Sequence, residues 1–249
     1  MSTELERPSP AQLDRRYPVK EIFEDLPIEY PQVYRNIPVE REESLLPVIV
    51  LSGFSGSGKD CTFTPLLETG DAYHVVTATS RGRRVEKGEP ECAYVWMREK
   101  REQETIQEYH MNLVKEYSLI EYDNHYGNPY GLPAQSMKKQ GMGMPVLRVD
   151  INGVVNHRKR LPRFGFQPIT VAVMPDSWSQ VYESIVRRGA ECEEEALKRF
   201  YEDVGNVELY RENINYFIHN SRFSDIEGVT GLDLSVDAFR YLVSKYQNH

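Results

Sequence analysis

The sequence predicts an α/β fold with a largely parallel central sheet, on three observations. Apolar runs of strand length recur from residue 47 onward, at Val48–Ser52, Pro145–Asp150, Ile169–Met174 and Phe217–His219. They alternate with stretches of helical periodicity, and strands that alternate with helices pair in parallel through crossovers. The first run ends in a glycine-rich turn, Gly53-Phe54-Ser55-Gly56-Ser57-Gly58-Lys59-Asp60, that leads into a helix. Such a sheet binds its ligand at the C-terminal ends of its strands, so that turn marks where function is expected.

Residues 1–46 stand apart. Pro8, Pro10, Pro18, Pro27, Pro31 and Pro38 recur too often for helix or inner strand, and Tyr17, Ile22, Phe23, Leu26, Tyr30, Val33, Tyr34 and Ile37 lie between them. A disordered tail would hold fewer aromatics. The expectation is an extended arm packed on its own domain, with contact to a protein partner as the alternative. From residue 47 the elements follow in order. A helix starts near Lys59, and Pro65 inside it should kink or shorten it. Tyr73–Ala78 and Tyr94–Met97 are strands separated by a charged loop, and Arg98–Tyr117 is a helix. Leu119–Tyr122 is a strand, Tyr126–Pro133 a glycine-rich hairpin, and Ala134–Gln140 a short helix. Asn152–Leu161 reads as a helix whose His157-Arg158-Lys159-Arg160 cluster is a solvated face. Asp176–Arg187 is a helix capped by Asp176 or Ser177, Glu193–Asn213 another with Glu194→Lys198 and Glu195→Arg199 pairs, and Val236–Gln247 closes the chain.

Composition narrows the function classes. The formal charge of −8 argues against bulk binding to nucleic acid or anionic membrane, so any phosphate site is a local concentration of arginine. No apolar run approaches the roughly 20 residues that span a bilayer, and the N-terminus Met1-Ser2-Thr3-Glu4 lacks the features of a signal peptide. Three widely spaced cysteines, Cys61, Cys92 and Cys192, read as a reducing, cytoplasmic compartment.

The turn at Gly53–Asp60 fits G-x-x-x-x-G-K. Its glycines let backbone N–H groups converge on an anion, the helix N-terminus adds partial positive charge, and Lys59 can reach outer phosphates. The pattern ends in Ser or Thr, which holds Mg²⁺; here that position is Asp60. Asp60 can itself ligate the metal. It can instead point away and leave the metal to Thr62 or water, or the loop can bind no triphosphate.

Five further segments, in order and at matching spacing, make the chain from about Pro47 onward resemble the guanylate kinases, nucleoside monophosphate kinases of the P-loop NTPase fold. The first is Thr77-Ala78-Thr79-Ser80-Arg81-Gly82-Arg83-Arg84, then Gly88-Glu89 and Tyr94. The second runs from Glu121 to Tyr130-Gly131, the third is Val149-Asp150-Ile151-Asn152-Gly153, and the fourth Met174-Pro175-Asp176-Ser177. The fifth is Arg188-Gly189 with Arg199 eleven residues after Arg188, and Phe217-Ile218-His219-Asn220 is similar to a late element whose Asn meets adenine. The resemblance implies a GMP site of Thr77, Arg81, Arg84, Tyr94, Glu121, Tyr130 and Asp150, in which Glu121 reads guanine and the arginines and tyrosines grip phosphate. It implies an ATP site of Gly53, Phe54, Ser55, Gly56, Ser57, Gly58, Lys59, Asp60, Cys61 and Asn220. Lys59, Arg188 and Arg199 would be catalytic, Asp60 the metal residue, and Mg²⁺ with ATP the cofactors. Two positions depart from the family: Leu132 replaces a Ser or Thr that touches the base, and Arg148 stands where the first of two carboxylates is expected.

The resemblance also implies the architecture: a P-loop kinase core at 47–80 and 134–249, a small mixed subdomain for the nucleoside monophosphate at about 81–133, and a helical lid at about 188–200. The function it implies is phosphorylation of GMP or dGMP by ATP. The alternative, from a different class, is a guanylate-kinase-like module that has lost phosphoryl transfer and binds a partner protein or phosphorylated ligand.

Overall fold

The computed structural model describes residues 8–87, 89–125, 128–137, 143–187, 193–222, 224 and 226–247. In chain order these form α1 (Pro10–Arg16), β1 (Ile28–Tyr30), β2 (Val33–Arg35), β3 (Leu46–Gly53), α2 (Lys59–Thr69), β4 (Ala72–His74) and β5 (Ala78–Thr79). Next come β6 (Val95–Trp96), α3 (Ile106–Glu116), β7 (Leu119–His125), β8 (Asn128–Pro133), α4 (Ala134–Met137), β9 (Met144–Arg148) and α5 (Ile151–Arg160). The chain closes with β10 (Phe166–Pro175), α6 (Trp178–Arg187), α7 (Glu193–Gly205), α8 (Val207–Asn213), β11 (Tyr216–Asn220) and α9 (Gly231–Gln247).

The central sheet has the order β1-β2-β11-β10-β3-β9-β4. Its strands from β11 to β4 are all parallel, and β2 joins β11 antiparallel. Alternation along the strands explains the two covered faces. On β3, Val48 and Val50 pack toward one cluster with α5, α6 and α8, while Ile49 and Leu51 pack toward the other with α2 and α9. A second sheet, β6-β5-β8-β7, is mixed and carries α3 over its own small core of Ala78, Met97, Tyr109, Leu113 and Leu119. The fold is therefore the expected α/β one, and both sheets converge on the C-terminal edge of β3 and β9.

Several local expectations are corrected. The N-terminal segment is not an extended arm throughout. Pro10 occupies the first turn of α1, where a missing N–H costs nothing, and Ser9 and Gln12 form a capping box. Prolines 27 and 31 flank β1 instead of interrupting it, so β2 can lie inside the sheet. The segment is bolted to the domain by Asp14, whose carboxylate accepts hydrogen bonds from the Trp178 and Ser179 amides at 2.5 and 3.1 Å and so caps α6. α2 runs through Pro65 to Thr69. The carbonyl that Pro65 leaves without a donor is that of Cys61, an exposed residue, where water can serve it.

The stretch 73–78 is split, because β4 ends in the central sheet and β5 begins the small one, which thus starts at 78 and not at 81. α3 begins at Ile106 because Thr105 and Glu108 make a capping box, leaving 98–105 as loop. The helix expected over 193–213 breaks at Asn206, after Gly205, into α7 and α8. At α6 it is Ser177 Oγ that accepts from the Gln180 amide, at 3.1 Å. The first part of the expected lid, Arg188–Gly189 onward to 192, lies outside the described residues, as do Tyr126, Gly127 and Gly88.

Candidate active site

The glycine-rich turn joins β3 to α2 in the bend its sequence requires. Gly53 has φ 141°, and a Cβ there would stand 2.3 Å from the Val173 carbonyl of β10. Gly58 has φ 87°, and a Cβ would meet the Asn220 carboxamide at 2.2 Å. Phe54 is fully buried and stacks on Trp178 at 4.8 Å, which ties the turn to α6. Lys59 Nζ donates to the Gly53 and Phe54 carbonyls at 2.9 and 3.3 Å. The Asn220 amide donates to the Ser57 carbonyl at 2.8 Å and accepts from Ser235 Oγ at 3.0 Å, so Asn220 braces the turn from β11. Cys61, expected in the ATP site, is exposed and is not among the residues that line the cleft.

Asp60 and Arg148, the two departures that the sequence left separate, face each other. Arg148 Nη1 donates to Asp60 Oδ1 at 2.5 Å, and its Nε donates to His74 Nε2 at 3.3 Å. Strand register brings them together: Arg148 pairs with Leu51 across β3 and β9, two residues before the turn starts. Asp150 follows as the N-cap of α5 and accepts from the Gly153 amide at 2.7 Å. A third acid comes from α7. Asp203 Oδ2 accepts the Ser55 amide at 2.7 Å, and burial pushes this carboxyl up against the opposing pull of that bond and of Lys59. Nothing in the sequence marked Asp203.

These groups line a cleft of about 1070 Å³ that also takes in Thr77, Glu89, Cys92, Tyr94, Arg199 and Asn206. Its wall holds the carboxylates of Asp60, Glu89, Asp150, Glu202 and Asp203 against Lys59, Arg148 and Arg199. A polyanion entering here needs added positive charge. Mg²⁺ suits the donors present: it binds through one or two carboxylates together with phosphate oxygens and water, and the Asp60 side chain is 62% exposed at the mouth of the turn. Thr62 is fully buried and does not line the cleft, which removes it as the alternative ligand.

A second cavity of about 420 Å³ adjoins, lined by Thr77, Arg84, Tyr94, Glu121, Tyr130, Leu132, Asp150, Asn156 and His157 among others. Glu89, on the wall of the larger cleft, organises the residues where the two cavities meet. Its carboxylate pairs with the Arg81 guanidinium, accepts the Arg84 amide at 2.9 Å, and is held down at about 2 by the Arg81 hydrogen bonds. Arg81 Nε then donates to the Tyr130 hydroxyl at 3.2 Å, and the guanidinium lies 5.0 Å from the Tyr94 ring centre. Arg81, Tyr94 and Tyr130, scattered over fifty residues, are thus one group.

At the far wall the basic cluster of α5 is a solvated face at Lys159 and Arg160, as expected, but not at His157. His157 is buried, and its Nδ1 approaches Glu121 Oε2 at 2.5 Å without the direction of a regular hydrogen bond. Arg160 Nη1 reaches Glu121 Oε1 at 3.4 Å. The i,i+3 spacing of His157 and Arg160 puts both on the helix face toward β7, a signal the sequence contained.

Comparison with known proteins gives four findings. A family model described as guanylate kinase matches residues 46–229. The guanylate kinase of Clostridium tetani is 28% identical over 190 residues, covering 74% of this chain and 82% of that protein. That of Halalkalibacterium halodurans is 27% identical over 211 residues, covering 83% and 90%. A crystal structure of guanylate kinase from Anaplasma phagocytophilum superimposes with a TM-score of 0.52 at 21% identity, covering 83% of this chain and 88% of that one, a likeness of fold.

Proposed function

This chain belongs to the guanylate kinase family, and from that premise we propose that it transfers the terminal phosphoryl group of ATP to GMP or dGMP, giving two diphosphates. The observation that carries the reading is the joining of two cavities. The larger holds the glycine-rich turn with Lys59, and the smaller gathers Arg84, Tyr94, Tyr130 and Glu121. In this reading the amides of Gly53–Asp60 cradle the donor phosphates, Lys59 turns from its carbonyl partners to the outer ones, and Asn220 supports the turn beside adenine. Arg81, Arg84, Tyr94 and Tyr130 hold the acceptor phosphate, while Glu121 accepts the guanine N1–H and amino protons. Thr77 and Asp150 line both cavities and border the acceptor.

Phosphoryl transfer asks for in-line positioning and charge neutralisation more than covalent chemistry. Arg199, already on the wall of the cleft, and Arg188 would close on the moving group and exclude water. Mg²⁺, when bound by Asp60 and donor phosphate oxygens, would neutralise charge on the polyphosphate.

One observation favours a second reading, a binding module without turnover. Asp203 already occupies the Ser55 amide, a donor that a triphosphate would use. A coupled ADP-release assay over a panel of nucleoside monophosphates separates the two. Turnover with GMP that falls at least 10³-fold in Lys59→Ala is the expected result, in line with the weight of a phosphate-neutralising cation. GMP binding without turnover of any acceptor would instead establish the module.

A further inference from the structure

We propose that Arg148 is a substrate-contacting residue that binds the acceptor phosphate and the phosphoryl group passing to it, with Asp60 holding it in position until substrate arrives. The inference rests on the acceptor site proposed above and adds a residue to it. Two sequence departures motivate it. The family pattern has a neutral hydroxyl residue where this chain has Asp60 and a carboxylate where it has Arg148. Each change alone puts a charge out of place; in the fold they meet at 2.5 Å. The cation therefore occupies the strand end that faces both the donor turn and the acceptor pocket.

Stability does not account for the pair. The Arg148 and Asp60 side chains are 38% and 62% exposed, and ion pairs that open to solvent add little. Position accounts for it better. Arg148 lines the larger cleft together with Lys59 and the smaller one together with Arg84, Tyr94 and Tyr130. Its guanidinium is anchored through Nη1 to Asp60 and through Nε to His74. The Nη2 amino group has no partner among the described residues and can meet a phosphate oxygen. Guanidinium is suited to this: it is always charged, less strongly hydrated than ammonium, and its planar donors match phosphate oxygens in pairs. The two nucleotide phosphates between which transfer occurs must approach across this boundary, where their mutual repulsion is greatest and a fixed cation acts most strongly.

The test is a double-mutant cycle read by binding. Titration calorimetry with GMP, and separately with ribose 5-phosphate, is carried out without ATP on wild type, Arg148→Gln, Arg148→Lys, Asp60→Asn and the double variant Asp60→Asn/Arg148→Gln. Thermal midpoints check that each is folded. Loss of one charge-assisted phosphate contact predicts that Arg148→Gln weakens both ligands by roughly 10-fold or more. Arg148→Lys should recover part of this, and Asp60→Asn should not weaken binding, because it releases the guanidinium. The double variant should stay as weak as Arg148→Gln. Wild-type affinity in the double variant would mean that Arg148 serves only to neutralise Asp60 and would overturn the proposal. Unchanged GMP binding in Arg148→Gln would overturn it too while leaving the GMP kinase reading intact. Ribose 5-phosphate binding that depends on Arg148, in a protein that ignores GMP, would uphold Arg148 and sink the guanine reading.

Discussion

Replacing Glu121 by Gln tests the base-reading assignment with a change of one atom type. The side chain is 9% exposed, and both carboxylate oxygens are fixed from behind, Oε2 by His157 at 2.5 Å and Oε1 by Arg160 at 3.4 Å. A carboxylate so held presents only acceptors, and the N1–H and amino group of guanine present only donors. Gln keeps one acceptor and turns an amino group toward the other donor. One charge-assisted hydrogen bond is lost, about 1.5–3 kcal/mol, and a desolvated donor is left unpaired, about 1–3 kcal/mol. A central sum of about 4 kcal/mol corresponds to roughly 10³-fold in kcat/KM for GMP. AMP offers an acceptor at N1, which the new amide can meet, so the preference for GMP over AMP should shrink by at least the same factor. The assay is ADP release with each acceptor at subsaturating concentration, with the thermal midpoint recorded to separate the effect of unpairing His157 and Arg160. If the GMP-to-AMP ratio is unchanged while the variant is folded, Glu121 does not read the base.

Two further outcomes follow from contacts away from the transfer chemistry. Asp14→Ala removes the carboxylate that caps α6 through the Trp178 and Ser179 amides and should lower stability by about 1–2 kcal/mol, measured by urea denaturation; an unchanged midpoint would mean that the N-terminal segment is not part of the folding unit. Glu89→Gln probes the Arg81 pair by pH. The folded carboxyl lies at about 2, held there by Arg81, against an ordinary 4.5. The unfolded state therefore binds more protons in that window, and the pair stabilises the fold above about pH 4.5 and loses its effect as pH falls toward 2. The difference in thermal midpoint between wild type and Glu89→Gln should be full at pH 6 and should close below pH 4.5, whereas a difference constant with pH would refute the charge pairing.

The sequence by itself determined the fold class and the family, because both are written in local signals. The apolar run into Gly53–Lys59 specifies a strand, a phosphate-sized turn and a helix through backbone conformations that glycine alone relaxes into. The ordered spacing of Arg81, Glu121, Tyr130 and Asp150 needed no coordinates to be read. Local signals erred where one element's end depended on a capping box, as at Thr105, or where proline sat at a position with no donor to lose, as at Pro10.

Tertiary structure alone decided which polar groups meet. Asp60 and Arg148 are 88 residues apart, Glu121 and His157 are 36, and Ser55 and Asp203 are 148. Such pairs follow from strand order β10-β3-β9 and from the packing of α5 and α7 over the strand ends. Polar and charge interactions carry no periodicity along a chain and, between exposed groups, are screened out beyond roughly 10 Å. They become legible only when the sheet has fixed its neighbours. That is why Arg148 read as an unexplained departure from a pattern, and in the fold stands between the donor turn and the acceptor pocket.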